Sequence, residues 1–215
     1  MPYFKNNDIN LLFIHIPKAG GSSVEQYLSI KYSIKLNNLS IYGNLPADFK
    51  KKHDITKNYS FQHYTYNEIY DMREILNIDF STNPNILAVV RNPYTRLISD
   101  LFYLSLIKPN TDKSEIPRII RRYIVSNKDN HSIPQYRYIT DKNGYLVKNI
   151  TILRMENLKE DMIKHGYADF NKYDNKNIII SSDKYDEFLT PEVIKLVNFF
   201  YEEDFKYFDY DKIKI

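Results

Sequence analysis

The sequence predicts an α/β protein with a mostly parallel sheet, and three observations predict it. Four short runs rich in aliphatic residues, Leu11 to Ile16, Ile86 to Arg91, Asn149 to Arg154 and Asn177 to Ser181, have the length and composition of buried strands. Segments with helical spacing lie between them, and that alternation implies parallel strands joined by crossovers. Two of the runs end directly in helix-start signals, Pro17 to Ser23 and Asn92-Pro93.

The bulk properties narrow the class. A chain of 215 residues fits one domain, residues 1–215. Within it, about 109–130 reads as a variable helical insertion. With 43% hydrophobic and 27% charged residues, a folded core is expected. A net charge of +3 is too small to point to nucleic acid as a partner. The chain has no cysteine, which excludes disulfides, thiol nucleophiles and thiolate metal sites. No apolar run approaches the roughly 18 residues of a membrane span. The start, MPYFKNNDIN, lacks the apolar centre of a signal peptide, so a cytoplasmic location is expected. Abundant Asn, Lys, Ile and Tyr suggest AT-rich coding and a bacterial or viral source.

The elements follow in order. After the first strand, Pro17 stops the run, and Lys18, Ala19, Gly20, Gly21, Ser22 and Ser23 form a small-residue turn. A helix is expected from about Ser22 to Ile30. Lys31 to Lys57 reads as irregular, Ser60 to Tyr64 as a short strand, and Tyr66 to Leu76 as a helix. After the second strand, Asn92 is a good N-cap and Pro93 suits the first helical position, with the helix running to about Leu106. Ser114 is expected to cap a helix from Glu115 to about Val125. On it, Ile116, Ile120 and Ile124 form an apolar stripe, and Arg118, Arg121 and Arg122 share another face. A Tyr-rich strand is expected up to Ile139, a turn at Asp141 to Gly144, and a helix from Met155 to about His165. Thr190 and Pro191 start a last helix that buries Val193, Leu196, Val197 and Phe200.

Two of these junctions carry chemistry. A strand that feeds a glycine turn and a helix N-terminus is a place for an anion. Glycines allow close backbone approach, and the first-turn N–H groups have no partner within the helix. Lys18 adds a mobile positive charge. Because Lys18 precedes the glycines, this is not a Walker A loop, in which the lysine follows them. At the second junction Arg91 supplies a planar fork for phosphate oxygens. Ser99 lies close to two turns beyond Asn92, so its hydroxyl faces the same end.

The order Pro-Lys-x-Gly-Gly-Ser-Ser after a strand resembles the 5′-phosphosulfate loop of sulfotransferases that use PAPS (3′-phosphoadenosine 5′-phosphosulfate). The stretch VVRNPYTRLISDLFY resembles their 3′-phosphate element. HSIPQYRYITDKNG, ILRMENLKEDM and LTPEVIKLVNFFYEEDFKYFDY resemble later stretches of the carbohydrate-type enzymes of sulfotransferase family 2, the heparan and chondroitin group. The similarity runs from about Leu11 to Tyr210, and Lys31 to Lys57 and the insertion show little of it. It implies a three-layer αβα fold similar to P-loop kinases. It further implies transfer of a sulfuryl group from PAPS, leaving PAP, to an acceptor hydroxyl that is first of all a sugar's. Under that resemblance Lys18 and the N–H groups of Gly20 to Ser23 hold the 5′-phosphosulfate, with Ala19 in the same loop, while Arg91 and Ser99 hold the 3′-phosphate. His63, in FQHYTYNEI, resembles the family's catalytic histidine, and Lys18 stabilises the departing oxygen.

Other residues stay open at this point. His15 is expected to be packed or hydrogen-bonded in the first strand, and His53 and His165 to lie on the surface. His131 and the arginine face are candidates for the acceptor side. Arg96 either supports the 3′ site or packs, and Ser181 and Ser182 are within reach of a nucleotide. No carboxylate pair is placed for a metal, and the second strand ends in Arg91 where a Walker B strand would end in Asp, so no metal is expected. A P-loop-like kinase or NTPase, and a non-catalytic nucleotide- or glycan-binding module, remain the alternatives.

Overall fold

A computed structural model describes residues 2–36, 46–56, 60–170 and 182–215. The expected strand Asn177 to Ser181 lies outside the described residues, as do Ser181 and the Ser182 side chain. Four strands form one sheet in the order β1-β2-β3-β4. They are β1 (Tyr3–Lys5), β2 (Asn10–Ile14), β3 (Asn85–Val90) and β4 (Ile150–Arg154). β1 runs antiparallel to β2, and β2, β3 and β4 are mutually parallel, so the sheet is mixed. Phe13 pairs with Leu87, and Leu87 with Thr151. In β3 every residue after Asn85 is buried, which requires cover on both faces and explains a run without polar alternation.

Nine α-helices lie among the described residues. In chain order they are α1 (Gly21–Lys31), α2 (Ala47–Lys52), α3 (Tyr66–Asp71), α4 (Pro93–Tyr103), α5 (Ile116–Ser126), α6 (Tyr136–Ile139), α7 (Leu158–Lys164), α8 (Pro191–Phe200) and α9 (Glu202–Phe208). Two buried clusters organise them. One joins the sheet to α1 through Phe4, Leu12, Phe13, Val24, Tyr27 and Val89. The other joins α4, α5, α8 and α9 through Leu97, Ile98, Ile120, Val193, Val197 and Phe205.

Several expectations are corrected. Ser60 to Tyr64 is not a strand. Phe61–His63 is a 3₁₀ turn whose N-cap Ser60 accepts the Gln62 N–H. The Tyr-rich stretch before Ile139 is the helix α6. α3 and α4 end earlier than their patterns suggest, α4 giving way to Ser105 at φ 56°. Ser114 does not cap α5. It lies inside the 3₁₀ turn Lys113–Glu115, where Asp112 accepts its N–H. The basic run Lys50 to Lys52 closes α2 and is not loop. On α8, Ile194 is buried while Leu196 and Phe200 are only partly so.

Candidate functional site

The site forms where β2 and β3 end. At the first junction Lys18 takes φ 61° and Gly20 φ 90°, so the chain turns through two left-handed residues within three positions. That geometry suits glycine at position 20 for a second reason, since a Cβ there would run into Met155 Sδ. Gly21 opens α1, and a Cβ on it would meet His15 Nδ1 at 2.9 Å. The His15 ring therefore occupies the space a side chain would need. Glu25, one turn further along α1, lies 2.6 Å from His15 Nδ1 and accepts a hydrogen from Gln62 Nε2 at 2.9 Å. The N-cap Gly20 has no side chain to cap α1, and the first turn carries no acid. Ser22 is exposed and Ser23 half-buried, whereas Ala19 is buried and contributes backbone only.

The second junction is built differently. Asn92 Oδ1 accepts the Tyr94 N–H at 3.0 Å, and Pro93 starts α4. Gln135 grips Arg91 from both sides. Its Oε1 accepts the Arg91 N–H at 2.9 Å, and its Nε2 donates to the Arg91 carbonyl at 2.8 Å. Asp204 on α9 in turn accepts the N–H groups of Gln135 and Tyr136, each at 2.9 Å. Burial pushes the Asp204 carboxyl up to about 6, against the opposing pull of Arg96 and these donors. The Arg91 guanidinium is half-buried. Its Nε donates to Thr95 Oγ1 at 3.1 Å, and one terminal nitrogen donates to the Lys18 carbonyl at 3.2 Å. That last bond ties the two junctions together. Ser99 is 8% exposed on α4, beside Asp100.

Lys18 is half-buried with its ammonium 4.0 Å from the centroid of the Tyr103 ring. Burial lowers its pKa, Asp100 opposes the shift and Arg91 adds to it. Tyr103 in turn stacks parallel to His131 at 5.8 Å. From there a row of imidazoles continues, His131 to His63 at 4.7 Å and His63 to His15 at 5.5 Å. Each presents Nδ1 to a carboxylate. His131 lies 2.7 Å from Asp100 Oδ1, His63 2.9 Å from Asp129 Oδ2, and His15 pairs with Glu25. Burial lowers the His63 pKa to about 4; the Asp129 hydrogen bond opposes this, and His15 and His131 add to it. His63, Asp129 and His131 also bring three potential metal-ligand atoms within 4.8 Å of one another, with Asp129 Oδ2 hydrogen-bonded to His63 and 4.0 Å from His131 Nε2.

His15 and His63 are thus buried neighbours. His131 is buried on Asp100 and reaches the row from behind Tyr103. His53 is half-buried and His165 exposed. Arg96 does not face the site as a free cation. It is buried, and it donates to the carbonyls of Pro17 (3.0 Å), Ile133 (3.2 Å) and His131 (2.7 Å). Of the arginine face, Arg118 pairs with Glu115 at 3.2 Å and Arg121 with Glu192 at 2.6 Å. The sequence reading missed Glu25, Thr95, Asp129 and Gln135. Glu25 and Thr95 carried a local signal, a spacing of four residues from Gly21 and from Arg91, whereas Asp129 and Gln135 bond residues far away in the chain.

A family model described as the sulfotransferase family matches residues 1–140, which include both junctions and all three histidines of the row. The chain belongs to that family, as a member of sulfotransferase family 2. Its members are transferases that generally take the sulfuryl group from PAPS. No curated protein and no solved structure gives a match. Among the described residues no helix is long and apolar enough to cross a membrane.

Proposed function

We propose that this chain transfers a sulfuryl group from PAPS to an acceptor hydroxyl, first of all on a carbohydrate, with His63 as the base. The observation that carries this reading is the bond from Arg91 to the Lys18 carbonyl, because it puts two anion-binding elements side by side at the ends of adjacent parallel strands. Ligands bind at that edge in open α/β sheets. The donor set fits the nucleotide: one lysine, one arginine and an uncapped helix N-terminus with no acid in its first turn. Lys18 and the N–H groups of Gly20 to Ser23 would hold the 5′-phosphosulfate, with Ala19 giving only backbone, and Arg91 and Ser99 the 3′-phosphate. PAPS supplies an activated sulfuryl group with PAP as the leaving portion.

The protein's own part is positioning and charge. Lys18 moves off the Tyr103 ring towards developing negative charge, a contact that strengthens where water is excluded. His63 takes the acceptor proton. Its low pKa keeps the imidazole neutral, and so able to accept, from about pH 5 upward. We read residues 1–215 as one domain of three-layer αβα type, similar to P-loop kinases, with about 109–130 inserted on the acceptor side and the protein cytoplasmic.

A thermal-shift series tests the reading. PAP should raise the melting temperature with EDTA present, since a ligand that binds only the folded state stabilises it. Stabilisation by ATP with Mg²⁺ and not by PAP would favour a kinase or NTPase. Labelled PAPS offered to a panel of glycans and peptides then identifies the acceptor, and PAP binding without turnover on any of them would point to a binding module.

A further inference from the structure

Asp129 lies 66 residues from His63 in sequence, just before the stretch that opens at His131. Yet its carboxylate and its own carbonyl both point at one atom. His63 Nδ1 is 2.9 Å from Asp129 Oδ2 and 3.1 Å from the Asp129 backbone oxygen. Burial works against the ionised carboxylate, but its bonds to His63 and Ser60 leave the Asp129 pKa below the ordinary value. An ionised carboxylate and a carbonyl only accept. The hydrogen-bond pattern therefore assigns the proton to Nδ1, and in a neutral imidazole that leaves the lone pair on Nε2.

The backbone pays a conformational cost to make this contact. Asn127, Asp129 and Asn130 take φ 35°, 55° and 60°, a left-handed cluster without glycine. Such clusters persist where the surroundings over-determine them. Here the Ser60 N–H donates to Asp129 Oδ1, Asn130 Nδ2 donates to the His63 carbonyl at 3.1 Å, and the Tyr138 hydroxyl donates to the Asn130 carbonyl at 2.6 Å. The segment is thus held to His63 through both its side chain and its backbone. The other titratable groups facing His63 are His15 and His131, each with Nδ1 on its own carboxylate.

We propose that Asp129 is the positioning residue of the reaction: it holds Nδ1–H of His63 and so presents an unprotonated Nε2 to the acceptor hydroxyl. The acceptor proton passes to Nε2 as the new O–S bond forms and the bond to the departing phosphate oxygen breaks. The Asp129 carboxylate offsets the imidazolium charge until the proton leaves to solvent. This inference rests on the reading of His63 as the base.

The test separates the two claims. Long-range ¹H–¹⁵N spectra of the full chain report which nitrogen of His63 carries the proton, whether or not an acceptor is known. The wild type should show the Nδ1–H form at neutral pH. Asp129→Asn keeps an acceptor oxygen and should keep that tautomer; Asp129→Ala should admit Nε2–H. Sulfation should fall on the order of 10–100-fold, the scale for removing the partner of a working imidazole, more in Asp129→Ala than in Asp129→Asn, with PAP affinity within about twofold of wild type. If Asp129→Ala does not fold, Asp129→Asn carries the rate comparison. A wild-type His63 protonated on Nε2 would overturn the proposal, as would unchanged tautomer and rate in Asp129→Ala. Normal turnover in His63→Ala beside an Nδ1–H wild type would remove the base itself, leaving the Asp129 contact as structural.

Discussion

The β2–α1 and β3–α4 junctions share one topology and solve it in opposite ways. The first is open. Its N-cap is a glycine without a side chain, and residues 18 and 20 are left-handed, with the Ser23 N–H turned back onto the Gly20 carbonyl at 3.3 Å. The second is closed. Asn92 caps α4, Glu156 Oε1 accepts the Asn92 N–H at 2.7 Å, and Gln135 satisfies both backbone groups of Arg91. One junction offers the main chain to a ligand, while the other fixes the main chain and offers a side chain. The contrast teaches that a pair of junctions of this kind uses a stiff half to hold the soft half in register. The Arg91 bond to the Lys18 carbonyl is where the stiff half does so.

Substitutions at each junction test that division. Lys18→Ala, in the open half, should cost most in turnover, about 10²–10³ in rate, as for loss of one donor aimed at developing charge. Single-turnover label transfer measures it. Near-normal turnover would mean that the backbone alone does the work. Arg91→Ala, in the closed half, should weaken PAP by about 1.5–3 kcal/mol, since a charged hydrogen bond is lost. It should weaken adenosine 5′-phosphosulfate, which lacks the 3′-phosphate, far less. Calorimetry with both ligands decides it, and equal losses would make Arg91 a bracket for the Lys18 turn and nothing more.

Stability should divide the halves as well. Gly20→Ala forces a Cβ into φ 90° against Met155 and should cost about 1–3 kcal/mol of folding free energy. Asn92→Ala removes a cap and should cost about 1 kcal/mol, with PAP affinity nearly unchanged. Urea midpoints rank the two, and a larger loss in Asn92→Ala would reverse the assignment of soft and stiff.

A further effect is on pH. The folded state holds the His63 pKa near 4, against 6.5 for the free side chain. Between those values the unfolded chain binds the proton and the folded one does not. Stability from this group is therefore full above about 6.5 and declines as pH falls towards 4. Urea midpoints from pH 7 to 5 should fall more steeply for wild type than for His63→Gln. Parallel slopes would show that His63 titrates alike in both states.

What the sequence disclosed was local. Asn92-Pro93, Thr190-Pro191 and Gly144 at φ 83° are turn and cap chemistry complete within a few residues, and all stand as expected. The parallel strands β2 and β3 were legible because burial on both faces leaves an unbroken aliphatic run. Phe61–His63 and α6 were misread because short aromatic stretches fit either period, and their neighbours decide. Asp129 was out of reach for a plainer reason. Its partner lies 66 residues away, and nothing near Asp129 in the chain announces the bond.

Arg96 bears on any attempt to re-engineer the enzyme. One guanidinium spans Pro17, His131 and Ile133, so the lip of the loop after β2 and the segment after α5 are fastened to the same peg. A lysine, with a single point of charge, has no fork to reach three carbonyls at once. Exchanging the segment around α5 would therefore disturb the loop after β2 as well, unless the transplant kept its carbonyls on that peg. The loop after β2 and the segment after α5 are therefore not separable modules.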